Sequence, residues 1–154
     1  MKVRTFMLAL ALCFAGATVC LAEDLNIGTW KLNEAKSQIP DGFIKNVTVV
    51  YTAEGDSLKV VTDGLGRDGK PMHTEWTGKL DGKDYPLAGD PLANTRSVAK
   101  VDDHHMTLFN KKDGKVVTSG RIVLSKDGKS RTLTATATDP SGKKLSSVAF
   151  YDKQ

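Results

Sequence analysis

The stretch HMTLFNKKDGKVVTSGRIVLSKDGKSRTLTATAT, residues 105 to 138, decides the fold. Twice within it an Asp-Gly-Lys tripeptide, at Asp113 and at Asp127, separates runs in which apolar and polar side chains alternate. Asp-Gly supplies the positive φ angles that two-residue type I′ hairpin turns need, and a period of two marks a strand with one buried face. The final run is the plainest: Leu133, Ala135 and Ala137 form one face, while Thr132, Thr134, Thr136 and Thr138 form the other. Alternate small residues on the apolar face leave space inside whatever the strand encloses.

The same tripeptide recurs at Asp68 and Asp81, and the alternation extends outward on both sides. Strands are expected from about Ile27 to Asn33, Lys45 to Ala53, Ser57 to Asp63, Met72 to Leu80, Ala93 to Val101, His105 to Lys111, Lys115 to Ser125, Ser130 to Asp139 and Lys143 to Asp152. In the second, Val47, Val49 and Tyr51 share one face; in the fourth, Met72, Thr74, Trp76 and Leu80 do. Residues 81 to 92, with Pro86, Gly89 and Pro91, read as the longest irregular stretch. The result is an all-β, single antiparallel up-and-down meander of about eight or nine strands with no amphipathic helix. It closes as a barrel or packs as a two-sheet β-sandwich. Short sequential hairpins favour the barrel, because a Greek-key sandwich needs long crossovers that only residues 81 to 92 could provide.

The N-terminus reads differently. Lys2 and Arg4 form a basic n-region, Phe6 to Ala15 an apolar h-region, and Cys20-Leu21-Ala22 ends in a small residue suited to cleavage. Residues 1 to 22 are therefore expected to be a cleaved signal peptide and 23 to 154 a single β-barrel domain, exported to a bacterial periplasm or outside the cell. Val19 before Cys20 and Leu12 before Cys13 do not suit lipidation, so no stable membrane anchor is expected. Both cysteines lie in the segment that is cut away, so the exported chain folds without disulfides and has no thiolate for catalysis or metal binding. Lys2 and Arg4 leave too, and the formal charge falls from +4 to +2. The remaining lysines follow turns, as at Lys70, Lys83, Lys115 and Lys129, rather than forming a basic stripe with interleaved aromatics; nucleic acid is not an expected partner.

The opening Gly28-Thr29-Trp30-Lys31-Leu32 resembles the first strand of calycins, the lipocalins and fatty-acid-binding proteins. That resemblance implies an up-and-down barrel in which Gly28 allows a tight approach and Trp30 closes one end. The longer run Trp30 to Ser37 also resembles small exported bacterial proteins of uncharacterised activity with a similar strand pattern. The departures matter as well. Thr62-Asp63 is followed by Gly64 where lipocalins have Thr-Asp-Tyr, and Ala149 stands two residues before Tyr151 where fatty-acid-binding proteins have an arginine. Only about a dozen residues separate Leu32 from Lys45, too few for a helical lid.

No catalytic constellation, resident cofactor or metal site is expected. His73 and Glu75 share a strand face, as Asp102 and His104 would, but a strand intervenes between the two segments in a meander, and the plainer reading is solvent-facing polar residues. His104 and His105 suit a turn. Ser119-Gly120 and Ser141-Gly142 lack the Gly-x-Ser-x-Gly elbow of hydrolases. Arg121, with Ser119 and Val123 on one face, either points into the barrel to grip an anionic ligand, or faces water, or stacks on Trp30 in the calycin manner; Arg96 and Arg131 compete for these roles. Tyr85 belongs to the long stretch 81 to 92, as a rim loop that gates a cavity or as a cap on the barrel end.

The functional expectation is a non-enzymatic barrel binding a small, mostly apolar ligand between Tyr51, Trp76, Leu108 and Leu133, with Arg121 as the polar contact. Val47, Val49, Val60 and Ala135 would complete aliphatic walls. The alternative is a cell-envelope or extracellular interaction module whose barrel is filled and whose loops or edges bind another macromolecule.

Overall fold

A computed structural model describes residues 24–139 and 141–154. The signal segment read at residues 1 to 22, with Cys13 and Cys20, lies outside the described residues. Ten antiparallel strands run in chain order around one closed barrel: β1 (Gly28–Leu32), β2 (Lys45–Glu54), β3 (Ser57–Leu65), β4 (Pro71–Gly78), β5 (Asp81–Ala88), β6 (Thr95–Lys100), β7 (His105–Lys112), β8 (Lys115–Leu124), β9 (Ser130–Thr138) and β10 (Lys144–Lys153). β10 pairs with β1, so closure leaves no free sheet edge. A single 3-10 turn, Glu34–Lys36, follows β1, with the Asn33 side chain accepting from the Lys36 amide.

Turn chemistry accounts for the hairpins. Asp113 and Gly114 both have positive φ, 50° and 81°, as a type I′ turn between β7 and β8 requires. Gly55 alone supplies the positive φ of 61° in the two-residue connection from β2 to β3. Asp127-Gly128 turns the chain differently: the Gly128 amide donates to the Ser125 carbonyl in a wider loop, and the Asp127 carboxylate accepts from the Lys129 amide and the Ser125 hydroxyl.

Two strand expectations need correction. Residues 81 to 92 are not irregular: Asp81 to Ala88 form β5, paired to β6 through Asp84↔Ser97, Tyr85↔Arg96 and Pro86↔Thr95. Its pattern was hidden because Gly82, at φ 78°, sits in a register shift between Asp81 and Asp84, and because Leu87 is its only buried residue. Asp81-Gly82 therefore bends a strand instead of making a hairpin. Tyr85 lies in this strand and not in a rim loop. The second correction concerns β2, where a register shift between Asn46 and Thr48 takes Val47 out of the inward alternation. Asn46, together with Val49 and Tyr51, faces the interior.

β5 is also the weak side of the closure. It aligns with β4 only at Glu75↔Ala88 and Trp76↔Leu87, against nine aligned pairs between β9 and β10. Pro86 has no amide to continue the ladder. Packing replaces the missing bonds: the Tyr85 ring meets Trp76 edge-on at 6.1 Å between centroids, and both rings crowd Gly78. A methyl group at residue 78 would lie 2.5 Å from Trp76 Cζ2 and 2.7 Å from Tyr85 Cγ, so glycine is what lets these rings close the gap.

The core follows the strand alternation. Trp30, Trp76, Tyr151 and Met106 are its largest fully buried side chains, joined by Val49, Val60, Leu108, Ile122 and Ala149. Trp30 on β1 is fully buried, its indole N–H donating to the Asn26 carbonyl at 2.8 Å. Gly28 in the same strand has a φ of 124° and sits against the Lys153 side chain.

Candidate ligand site

The barrel interior is more polar than its aliphatic strands suggested. Thr62 on β3, Thr74 on β4, Asn110 on β7, Arg131 on β9 and Ser147 on β10 are all buried and all face a common cavity of ≈ 80 Å³. At roughly 10–15 Å³ for each water-sized centre, that space takes about five to eight atoms, far below the roughly 300–1,000 Å³ of a drug-sized pocket. Side chains fill the rest of the barrel. Val49, Val60, Leu108, Ile122 and Leu133 supply the apolar part of the wall.

Three arginines give the cavity its character: Arg67 from the loop between β3 and β4, Arg96 from β6 and Arg131 from β9 all line it. The one carboxylate in the lining is Asp90. Among the described residues no arginine forms an ion pair within 4.0 Å. Buried charges are ordinarily paired, because desolvation without compensation is costly.

The three differ in how they are held. Arg131 is 3 % exposed and its guanidinium carbon lies 4.7 Å from the ring centroids of Trp30 and Tyr51 and 5.1 Å from that of Tyr151. Among the described residues its Nε and Nη1 have no hydrogen-bond partner, and the three rings stand in for one through cation–π attraction. Arg96 is fixed at one point only: its Nε donates to Asn110 Oδ1 at 2.8 Å, leaving both Nη groups free among the described residues. Burial lowers the pKa of Arg96 below its ordinary value, while the Asp90 carboxylate opposes that shift. Arg67 spans the barrel mouth. Its Nη1 reaches the Thr138 carbonyl at 3.4 Å, and its Nε is buried with no partner among the described residues.

Outside the mouth, a groove of ≈ 510 Å³ runs between the Gly66–Lys70 loop and the residues after β5, walled by Pro71, Pro91 and Leu92. It shares Ile44, Arg67 and Met72 with the inner cavity, so these three side chains stand at the boundary between them.

Of the residues singled out in the sequence, Tyr51, Leu108 and Leu133 line the cavity, as do Val49, Val60 and Ala135. Trp76 is buried beside it and donates its indole N–H to the Arg96 carbonyl at 3.0 Å, so it supports the strand that carries Arg96 instead of forming the wall. Arg121 is exposed on the outer face of β8, because Ile122 and Leu124 take the inward positions. Of the three options for that residue, the structure gives facing water to Arg121, and the stacking on Trp30 falls to Arg131. Arg67 and Asp90 lie outside the strands and carried no periodic signal. Asn110 and Arg131 did: Asn110 is in phase with Met106 and Leu108, and Arg131 with Leu133, Ala135 and Ala137.

The histidines lie elsewhere. His73 sits on the outer face with Nδ1 2.6 Å from Asp63 Oδ1 and Nε2 3.3 Å from Glu75 Oε1, and these two carboxylates raise its pKa, Asp63 most strongly. Asp102 closes the turn before β7 by accepting from the amides of His104 and His105. Among the described residues no group of three or more His, Cys, Asp and Glu side chains is placed to hold a metal ion.

No protein-family model and no curated protein matches the chain. Among solved structures it is similar to a redesigned beta barrel, mFAP1, bound to DFHBI, at 15% identity over 84% of this chain and 95% of that one, with a TM-score of 0.42. It is also similar to lobster apocrustacyanin A1, at 13% identity and a TM-score of 0.43, and to apocrustacyanin C1, at 14% and 0.44. Each of these two matches covers 86% of this chain and 63% of the other.

Proposed function

We propose that the barrel is a non-enzymatic binding protein for a small ligand whose polar end is an anion held by Arg96. The observation that carries this reading is the Arg96 guanidinium itself: one nitrogen is tied to Asn110, two are free and no carboxylate lies within 4.0 Å among the described residues, and it lines the cavity. A carboxylate is the matching partner, since it accepts the two parallel hydrogen bonds that a guanidinium fork offers. The aliphatic wall of Val60, Leu108 and Leu133 accommodates a few carbons behind that group. The ligand is thus smaller and more polar than the mostly apolar molecule expected from the strands, and Arg96 takes the role first considered for Arg121.

Binding without turnover is supported by the groups that face the ligand. Arginine stays protonated across the physiological range, and burial pushes the Tyr151 hydroxyl up to about 12. Neither gives or takes a proton readily near neutrality, where general acid–base catalysis works best. Export to a periplasm or the extracellular space is part of the proposal, and rests on the signal-like residues 1 to 22.

A second reading, a filled barrel that binds another macromolecule, is favoured by one feature. Phe109 on β7 and Val116 on the neighbouring β8 expose 40% and 54% of their surfaces on the barrel's flank. Native mass spectrometry of the exported protein from its own host, with extraction of whatever co-purifies, separates the two. A stoichiometric small acid that is lost in Arg96→Gln supports the anion site. A protein that is empty and gains no melting temperature across a panel of small carboxylates leaves the interaction module.

A further inference from the structure

Resting on the anion-site reading above, we infer that the ligand lies head outward. Its single carboxylate is shared by Arg96 and Arg67 at the barrel mouth, and its short carbon chain points into the barrel.

The strand register brings the two arginines together. Arg96↔Asn110, Asn110↔Thr118 and Thr118↔Ala137 form one row across β6, β7, β8 and β9, and all four residues line the cavity. Arg67 arrives at the same end of the barrel, since its Nη1 contacts the carbonyl of Thr138, the residue after Ala137. The bond from Arg96 Nε to Asn110 leans that guanidinium along the row toward β9. From Asn110 to Ala137 the row crosses two strand spacings, roughly 10 Å at about 4.8 Å each. Side chains that project inward from a curved wall converge, so one carboxylate can accept from both guanidinium groups, with the Thr118 hydroxyl between them.

Polarity falls with depth below that row. Leu108, Gly120, Ala135 and Ser147 form the next inward row, and Ile122, Leu133 and Ala149 the one after; among these only Ser147 has a polar side chain. Each row lies about 6.6 Å deeper than the last, two residues at about 3.3 Å each. On β3 the order is the same, with Thr62 nearer the Gly66–Lys70 loop than Val60. Arg131, two residues before Leu133 on β9, ends the wall, and its guanidinium is already faced by Trp30, Tyr51 and Tyr151. A head-inward acid would lay its carbons against Arg96, Asn110 and Thr118 and leave their donors desolvated and unpaired, which is costly. The cavity holds about five to eight atoms, so with two oxygens at the mouth the acid has roughly three to six carbons.

Arg67 is the positioning residue for the head group. Its buried Nε has no partner among the described residues, and its Nη1 contact to Thr138 is long at 3.4 Å. Buried donors left unpaired in a folded protein call for a bound partner, and this one stands at the boundary with the outer groove, behind a carboxylate held by Arg96.

The test is calorimetric titration of the folded protein with straight-chain monocarboxylates from acetate to octanoate, and with inorganic phosphate. Affinity is expected to peak within roughly three to six carbons and to fall by octanoate. Arg67→Gln is expected to weaken every acid about tenfold or more, with the same preferred length and an unchanged melting temperature without ligand. Gly120→Ala acts on the chain instead: a methyl there would lie 3.1 Å from Leu108 Cγ and from Leu133 Cδ1, pressing both toward the cavity, and should move the preferred length down by about one carbon. Affinity that keeps rising through octanoate, Arg67→Gln binding as tightly as the parent, an unmoved optimum in Gly120→Ala, or phosphate matching the best acid overturns the head-outward arrangement and leaves the Arg96 site standing. If no carboxylate binds the folded protein, the anion-site reading itself is wrong, and this inference goes with it.

Discussion

The Arg131 guanidinium lies over Trp30, 4.7 Å from its ring, and joins β9 to this fully buried tryptophan of β1. Tyr51 and Tyr151 complete the enclosure, so this cation is solvated by aromatic faces in place of water. Arg131→Ala is expected to destabilise the ligand-free protein by about 2–4 kcal/mol, from the lost cation–π contacts and the space left behind. Urea unfolding followed by tryptophan fluorescence measures it. A change below about 0.5 kcal/mol, the range of ordinary surface substitutions, would remove Arg131 from the structural role.

Gly78 is where the weakly laddered β4–β5 seam depends on packing. Gly78→Ala places a methyl between Trp76 and Tyr85, and is expected to cost about 1–3 kcal/mol through overpacking. Amide hydrogen exchange should rise first in residues 81–88. Unchanged exchange there, with unchanged stability, would show that the rings yield freely.

Tyr151 links alkaline pH to stability. Its hydroxyl donates to the Asn46 carbonyl at 3.1 Å, and burial is the main reason its folded pKa rises from 10.0 to about 12. In the unfolded chain it ionises near 10. The stabilising contribution is therefore complete below about pH 10 and is lost as pH climbs toward 12, because only the unfolded state releases the proton. Tyrosinate absorbance should show one of the three tyrosines ionising with unfolding. Tyr151→Phe should flatten that part of the stability curve; an unchanged curve would contradict the assignment.

His73 provides a second titration, at the surface. Asp63 and then Glu75 raise its pKa above the ordinary 6.5, so its contribution to stability is present below that value and fades as pH rises through the folded pKa. A proton NMR titration should find the imidazole above its ordinary value, and Asp63→Asn should return it most of the way. A normal pKa in the native protein would show that solvent screens the cluster.

The meander was legible because each hairpin carries its own chemistry, from Asp113-Gly114 with two positive φ angles to the strict alternation of Leu133, Ala135 and Ala137. β5 was not, since Gly82 and Pro86 carry the same signals in a bent strand as in a loop, and β6 supplies the pairing that distinguishes them. The site was legible only in outline. Alternation groups Arg121 with Ser119 and Val123 but does not say which face of β8 looks inward; Ile122 and Leu124 settle that by their burial. Parity with Leu133 places Arg131 inside, whereas Arg67 reaches the cavity from a loop, where no periodicity applies. The bulge at Val47 reversed a face for the same reason: a one-residue insertion leaves no mark on composition.

A crystal structure of the protein grown in succinate tests the anion site most directly. The expected result is density for a carboxylate inside the barrel, accepting hydrogen bonds from both free nitrogens of Arg96 while Nε keeps its bond to Asn110. A barrel holding only water before Arg96, with succinate confined to surface lysines, would contradict it.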